Sequence, residues 1–268
     1  MNKNIYTGID FFKLICALMI ICMHTLNYNS NVYLQIFNKV ICGMAVPFFF
    51  ITSGFFLQKG LTNTDDKKSY FLSYLKRLGT LYLIWTVITL PVSIYVIKMS
   101  HPDANIIICF MLLIRNIFFV GSLGIYWYIL ALMLDSIVLY FCNKYNNKKT
   151  VFFISIILFL IGILYNSNII GQNNFVYNAI HIIFSSERNF LNVGLFYVLI
   201  GSYLQQREND LLCINRNLIL FLFFIVVLIK YIETIYLNIN CVQCLEAILL
   251  FLFAINIKLS PLKVLVLS

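Results

Sequence analysis

The sequence is poor in charged residues, which make up 11% of its 268 residues, against about 25% in an ordinary soluble domain. Apolar residues make up 62%, and the mean hydropathy is +0.91. This composition excludes a soluble enzyme, a nucleic-acid-binding protein and a disordered protein, and it indicates a chain that lies in a lipid bilayer. The net charge of +9 is therefore tested first as membrane topology, because cytoplasmic loops collect Lys and Arg.

Proline and glycine are also scarce, at 4 and 11 residues, so no long flexible linker divides the chain and we expect one domain over 1–268. Most of the eight cysteines lie in apolar runs, where cysteine behaves as a small hydrophobic residue. The single C-x-x-C pair, Cys241 and Cys244, cannot form a structural zinc site, and no other metal-ligand spacing is present. We expect no bound metal or cofactor. A phosphate-binding glycine loop and a G-x-S-x-G element are both missing.

Long apolar runs of the length that a membrane-spanning helix needs recur along the chain. Eight such runs are present, at 9–27, 40–58, 71–97, 124–142, 150–166, 188–205, 217–236 and 240–258. A further run at 106–120 is shorter and carries Arg115. The first run has no cleavage pattern after it and is expected to remain as the first span.

The loop charges decide the topology. The loop after the second span holds Lys59, Lys67, Lys68, Lys76 and Arg77, and the loop at 143–149 holds three lysines. Both loops are expected to be cytoplasmic, which requires an even number of crossings between them. That condition holds if 106–120 is an amphipathic helix in the outer interface. The sequence therefore predicts an all-α polytopic helix bundle in the cell membrane, with about eight spans, one outer interfacial helix and both termini cytoplasmic.

Ionisable residues inside a span are functional candidates by default. The first span carries Asp10, Lys13 and His24. Eleven residues separate Lys13 from His24, which is three helical turns plus ~20°, so both face the same way and lie ~16 Å apart along the axis. His24 is a candidate general base in a polar cavity, because imidazole takes up a proton near neutral pH. The alternatives are an interfacial anchor pair for Asp10 and Lys13, and a buried His24 that hydrogen-bonds a neighbouring helix.

Other embedded or flanking charges have less specific patterns. Lys230 and Glu233 are three residues apart and are expected to form an ion pair. Arg188 either holds an anionic group of a substrate or pairs with Glu187. Asp135 and Glu246 are also embedded, and His101 and His181 are interpreted as ordinary polar surface.

Several short motifs occur in order along the chain. Gly8-Ile9-Asp10-Phe11-Phe12-Lys13 is followed after ten residues by His24, and the second span contains Val46-Pro47-Phe48-Phe49-Phe50-Ile51-Thr52-Ser53-Gly54-Phe55. Lys76-Arg77 precedes Leu81-Tyr82-Leu83-Ile84-Trp85, and later come Tyr126-Trp127-Tyr128-Ile129 and Arg188-Asn189 with Gly194-Leu195-Phe196 and Gly201. Together these elements resemble acyltransferase family 3, a family of integral-membrane O-acyltransferases.

The resemblance implies a reaction. An acyl group, usually acetyl, passes from cytoplasmic acyl-CoA as co-substrate to a hydroxyl of a cell-envelope glycan or lipid-linked sugar. The family's essential histidine corresponds to His24, and its motif cation corresponds to Lys13 beside Asp10. The resemblance places Lys76 and Arg77 at the CoA phosphates, and Arg188, Asn189 and Trp127 at the substrate.

Members of the family usually continue with two more helices, so the chain is expected to be short at its C-terminus. A close variant of this membrane domain is joined to a soluble racemase in the vancomycin-resistance-type serine/alanine racemases, and the Ala45–Phe50 run is similar to that subgroup. Two alternatives to the acyltransferase hypothesis stay open: a transporter-like domain for a small molecule, and an inactive truncated relative. The acceptor, the acyl chain and the oligomeric state are not determined by the sequence.

Overall fold

A computed structural model describes residues 6–26, 31–124, 126–166, 189–236 and 241–257. The helices in these ranges are α1 (Thr7–Thr25), α2 (Val32–Val40), α3 (Ala45–Asn63), α4 (Lys67–Ser100), α5 (Ile106–Arg115), α6 (Trp127–Tyr145), α7 (Lys148–Asn166), α8 (Leu195–Gln206), α9 (Glu208–Leu211), α10 (Arg216–Tyr236) and α11 (Gln243–Asn256). A 3₁₀ turn at Cys42–Met44 precedes α3, and π-helical turns at Asn116–Val120 and Phe190–Gly194 precede α6 and α8.

The protein is an all-helical membrane bundle, as the sequence predicts. Five segments are long and apolar enough to cross a membrane within the described ranges. They are Thr7–Thr25, Val32–Asn63, Lys67–Ser100, Trp127–Tyr145 and Arg216–Tyr236. Each of the eight predicted spans overlaps a helix, and the sixth and the eighth of these helices, α8 and α11, are clearly shorter than the predicted runs. The count of eight spans and the cytoplasmic placement of the termini stay predictions.

Two helices differ from the sequence-based expectation. No helix was expected between the first span and the second, which was predicted to begin at residue 40, yet α2 forms there because the Asn31 side chain accepts a hydrogen bond from the Tyr33 amide at 2.8 Å and so caps its first turn. Helix α4 is 34 residues long, or ~51 Å, which exceeds the ~30 Å hydrocarbon thickness of a bilayer. Its charged ends therefore extend beyond the apolar layer.

The ambiguous run at 106–120 is helical, as expected, but its last turn is π-helical. Helix α5 has no buried residue and packs on α4. Arg115 closes α5, and its guanidinium donates to the Asn116 side-chain oxygen at 3.1 Å. The segment is too short to span a bilayer, while its place in the outer interface stays a prediction.

The chain forms two compact units, whose boundaries fall within α3 and α8. Unit 1 comprises 1–55 and 200–268. In it α11 packs on α10, on α1 and on the 3₁₀ turn, and α10 also packs on α2. Aromatic rings fill its core: Phe251 lies 5.2 Å from Phe55 and 6.4 Å from Phe48, measured between ring centroids.

Unit 2 comprises 56–199. In it α6 packs on α4, on α7 and on the π-helical turn at Phe190–Gly194, which also packs on α7. The Phe71 and Tyr140 rings stack at 4.2 Å between α4 and α6. A buried amide, Gln58, accepts hydrogen bonds from Asn143 at 2.9 Å and from Lys148 at 3.4 Å. The expectation of a single domain over 1–268 stays a prediction.

Helices α3 and α8 approach closely at Gly201 in unit 1. A Cβ atom on Gly201 would lie 2.0 Å from the Ile51 carbonyl oxygen, closer than any real contact. Small residues permit such backbone contacts between membrane helices, and van der Waals packing there stabilises the bundle. Only glycine therefore fits at position 201 against the Ile51 backbone.

We expect Gly201→Ala to lower the free energy of unfolding by about 1–3 kcal/mol, because the added methyl forces the two backbones apart. Gly79→Ala is the matched control, since its Cβ would meet the Met133 terminal methyl at an ordinary 3.6 Å and alanine favours a helix. Denaturant unfolding of both variants in mild detergent measures the difference. Equal stability of the two variants would contradict the close contact.

Candidate active site

Helix α1 carries three of the predicted site residues on one uninterrupted helix in unit 1. The Lys13 ammonium lies 3.2 Å from the Asp10 carboxylate, and their side chains are 36% and 65% exposed. The predicted ion pair between the two is therefore formed, at the periphery of the described bundle. An exposed pair of this kind fits the interfacial anchor that was the alternative. It equally leaves the Lys13 ammonium accessible to an anionic ligand.

His24 lies in the last turn of α1. Its side chain is exposed, and the described residues give it neither a hydrogen bond nor an ion pair. The exposed side chain does not fit the alternative of a buried histidine, whereas a bond between His24 and a neighbouring helix stays a prediction. The polar cavity expected around His24 stays a prediction, because 27–30, which follow the helix, lie outside the described residues.

The first turns of α4 form a basic groove in unit 2. The groove has a volume of about 300 Å³ and is lined by Asp66, Lys68, Ser69, Leu72, Ser73 and Lys76. Asp66 caps the helix, since its carboxylate accepts a hydrogen bond from the Ser69 amide at 2.9 Å. The groove is therefore lined by two ammonium groups, two hydroxyls and one carboxylate, and it is basic because the two lysines outnumber Asp66.

Arg77 is exposed beside this groove, and its guanidinium lies 5.6 Å from the centre of the Tyr74 ring. This separation is within the range of a cation–π contact. Lys76 and Arg77, the two predicted CoA-binding residues, are thus both accessible on α4, and only Lys76 lines the groove itself. Lys68 is not among the predicted site residues, although it lies in the basic loop that indicates the cytoplasmic side.

Trp127 begins α6 and is half-buried. It follows a tight turn in which Gly121 and Gly124 have positive φ angles of 82° and 73°. A Cβ on Gly121 would lie 2.2 Å from the Trp127 amide nitrogen, so glycine is required for this approach. The turn is also held to α4, because the Ser122 hydroxyl lies 3.1 Å from that of Ser93.

Asn189 is almost fully buried, at 3% exposure. Its side-chain oxygen accepts a hydrogen bond from the Asn192 amide at 2.9 Å, which caps the π-helical turn before α8. Asn189 thus has a structural contact that the sequence analysis did not anticipate. Arg188, the neighbouring predicted substrate residue, lies outside the described residues.

Charged residues are also buried inside the bundle, apart from the predicted site residues. Lys230 and Glu233 form the predicted ion pair, 2.9 Å apart and almost fully buried, which confirms that expectation. Asp135 in unit 2 and Glu246 in unit 1 are both 0% exposed, and their carboxylate oxygens lack hydrogen-bond partners in the described ranges. Sequence reasoning located these four residues inside apolar runs and gave no role to the two carboxylates.

The structure thus brings Asp10 and Lys13 together, and it brings Lys68 and Lys76 together. His24 belongs to unit 1, whereas the basic groove and Trp127 belong to unit 2. Within the described ranges, no group of three or more His, Cys, Asp or Glu residues could hold a metal ion.

The family model for an acyltransferase domain, that of acyltransferase family 3, matches residues 6–267, which is nearly the whole chain. The chain belongs to acyltransferase family 3. The resemblance inferred from the short motifs is therefore confirmed, and this membrane protein is a member of an acyltransferase family.

Two curated relatives show what the acyltransferase-family chain is similar to. An amino-acid racemase of Enterococcus faecalis is 30% identical over 219 residues, covering 78% of this chain and 29% of the relative. A serine/alanine racemase of Enterococcus gallinarum is 26% identical over 268 residues, covering 95% of this chain and 36% of the relative. The chain thus spans about a third of the length of these relatives. No solved structure matches it.

The two acidic–lysine pairs of unit 1 predict different energetic costs. Glu233→Ala leaves Lys230 buried without this carboxylate and should lower the free energy of unfolding by about 3–5 kcal/mol. Asp10→Ala removes the same kind of pair from an exposed position and should cost less than about 1 kcal/mol. Denaturant unfolding of the two variants in detergent compares them directly. Similar losses for both would show that Lys230 does not depend on Glu233.

Proposed function

We propose that the protein transfers an acyl group, acetyl in the simplest case, from cytoplasmic acyl-CoA to a hydroxyl of a cell-envelope glycan or lipid-linked sugar. The observation that carries this proposal is the match to acyltransferase family 3 over residues 6–267. The resemblance of the Asp10–Lys13–His24 pattern to the family's first helix supports it at the level of residues.

His24 is the proposed general base. The hydroxyl proton of the acceptor passes to an imidazole nitrogen while the hydroxyl oxygen forms a bond to the carbonyl carbon of the thioester. The carbon–sulfur bond then breaks, and its electron pair leaves with CoA as the thiolate. The imidazolium returns the proton to water and the thiolate takes one up, so the products are an O-acyl ester and free CoA.

The exposed position of His24 supports this role. A general base needs an accessible lone pair, and no described residue occupies the imidazole with a hydrogen bond. His24 lies in the last turn of α1, and we propose that this end of the helix faces the outer side, where an acceptor in the outer leaflet or the envelope reaches it. Lys13 and Asp10 lie toward the opposite end of the helix, on the side proposed to face the donor.

The basic groove of α4 is the proposed site for the CoA phosphates. Lys68 and Lys76 supply two positive charges, and Ser69 and Ser73 supply hydroxyl donors. The protruding start of α4 suits a charged ligand that stays in water while its acyl end enters the membrane protein. Arg77, beside the groove, supplies a planar cation for a further phosphate oxygen.

The acceptor side is proposed from the resemblance alone. Trp127 at the start of α6 offers an aromatic face of the kind on which sugar rings stack, and Asn189 follows the predicted Arg188. Asn189 already caps the turn before α8 with its side-chain oxygen, so its proposed place in the acceptor site follows from the resemblance and not from this contact.

The names of the relatives favour a second candidate. The two relatives described above are an amino-acid racemase and a serine/alanine racemase, and this chain covers about a third of each. A membrane domain that moves a small molecule, with an amino acid as the cargo, is therefore the alternative function. It requires no acyl donor, which separates it experimentally from the first proposal.

We expect the purified full chain in lipid nanodiscs to hydrolyse labelled acetyl-CoA slowly, with water in place of the acceptor. His24→Ala should abolish this hydrolysis, because the attacking water still needs a general base. We expect a loss of at least about 100-fold. His101→Ala is the matched control, since His101 is also exposed and immediately follows α4, and it should retain wild-type turnover. Release of CoA measures both.

Equal turnover in wild type and His24→Ala would contradict the base assignment. Should neither release CoA while proteoliposomes of the full chain accumulate labelled serine, the transport alternative would replace the acyltransferase proposal. Accumulation of serine without dependence on acetyl-CoA is the result that the acyltransferase proposal does not allow.

Lys68→Gln and Lys76→Gln should each raise the KM for acetyl-CoA several-fold and leave kcat nearly unchanged, because each removes a charge that binds phosphate without touching the reacting atoms. Lys67→Gln is the control, since Lys67 is exposed on the same turn but does not line the groove. Initial rates at varied acetyl-CoA concentration and low salt give both constants. A fall in kcat with constant KM would place these lysines elsewhere in the mechanism.

A further inference from the structure

Three ionisable side chains of unit 1 are enclosed where α10 packs on α11. Lys230 and Glu246 are 0% exposed, and Glu233 is 5% exposed. An ionised group in such apolar surroundings is unfavourable by several kcal/mol unless a neighbouring charge or hydrogen bonds compensate it. The compensating partners differ sharply between the two carboxylates.

Glu233 is engaged at both of its oxygens. Its Oε2 accepts from the Lys230 ammonium at 2.9 Å. Its Oε1 accepts from the Cys241 amide at 2.7 Å and from the Val242 amide at 3.4 Å. Glu233 thus compensates the Lys230 charge and also holds the chain just before α11.

Glu246 lies one helical turn beyond this contact. Its backbone amide donates to the Val242 carbonyl at 3.2 Å, which places it in the first turn of α11, next to the Lys230–Glu233 pair. Lys230 and Glu233 both interact with it electrostatically. Neither of its carboxyl oxygens has a hydrogen-bond partner among the described residues.

Among the described residues, the other elements that pack against α11 place no further compensating charge beside Glu246. They are α1 and the 3₁₀ turn at Cys42–Met44. The ionisable groups of α1 outside its cysteines are Asp10, Lys13 and His24; Asp10 and Lys13 pair with each other at 3.2 Å, and His24 is exposed. The turn carries only the Cys42 thiol. If all three groups of the cluster were ionised, the cluster would therefore carry one uncompensated negative charge.

We propose that Glu246 is a proton-binding site, so that one bound proton leaves a neutral carboxylic acid beside the Lys230–Glu233 pair. A proton needs no cavity, whereas a metal ion would need room and several oxygen ligands, and both Glu233 oxygens are already engaged.

When the proton leaves, the Glu246 carboxylate competes with Glu233 for Lys230. The contacts that Glu233 makes to the start of α11 then weaken, so the packing of α10 on α11 becomes proton-dependent. This inference does not rest on the proposed acyltransferase reaction.

Infrared spectroscopy of the full chain in lipid nanodiscs tests the proposal, because the carbonyl stretch of a protonated carboxylic acid is separate from the carboxylate bands. We expect such a band at neutral pH. Glutamate labelled with ¹³C at its side-chain carboxyl should shift the band, which distinguishes it from any band of the buried Asp135. Glu246→Gln should remove the glutamic acid band, and Glu208→Gln, the control, should leave it in place.

Three results would overturn the proposal. They are no glutamic acid band in the wild type, a band that persists in Glu246→Gln, and a band that disappears when sodium replaces N-methylglucamine at constant pH, which would indicate a metal cation as the occupant. If Glu246→Gln does not fold, Glu246→Asp takes its place. That variant should give an acid band insensitive to the glutamate label, and the persistence of a glutamate-labelled band would contradict the assignment.

Discussion

The close approach of α1 to α11 at Gly8 is the contact on which the rest of unit 1 depends. A Cβ atom there would lie 2.2 Å from the Ala254 carbonyl oxygen and 2.7 Å from that of Ile257, so only glycine allows the two backbones to meet. Ile9 is fully buried beside it, and the Phe12 and Phe253 rings pack at 5.8 Å. These contacts fix one end of α1, and the continuous helix then sets the direction in which Lys13 and His24 are presented.

Polar groups in this bundle divide according to their surroundings. The residues proposed for chemistry, His24 on α1 and the lysines of the α4 groove, lie where ligands can reach them. The buried groups hold elements together, as Gln58 does for α3, α6 and α7, or as Glu233 does for α10 and α11. Because lipid offers no hydrogen bonds, each buried polar group needs a protein partner, a bound proton or a ligand. Glu246 is one of the buried groups of unit 1 without a hydrogen-bond partner in the described ranges, and a bound proton is the partner proposed for it.

The helical membrane architecture could be predicted because hydropathy and the distribution of basic residues report directly on the transfer of segments into lipid. The Lys230–Glu233 pair could be predicted because three residues separate its members on a helix. Helix α2 was missed, since its formation depends on the Asn31 cap rather than on an apolar run. The cap that Asn189 forms, and the requirement for Gly121 beside Trp127, depend on backbone conformations that no sequence pattern shows. Similarly, the lack of partners around Glu246 follows from the packing of α10 on α11.

The direct test of the central proposal is a single-turnover measurement of acyl transfer. The full chain in lipid nanodiscs is mixed with acetyl-CoA labelled in its acetyl group and with hydroxyl-bearing fragments of the cell-envelope glycan. The proposal predicts label in the glycan, in an ester linkage that alkali releases, together with an equal amount of free CoA. Unchanged acetyl-CoA and an unlabelled glycan, with the same protein moving an amino acid across the membrane, would contradict it.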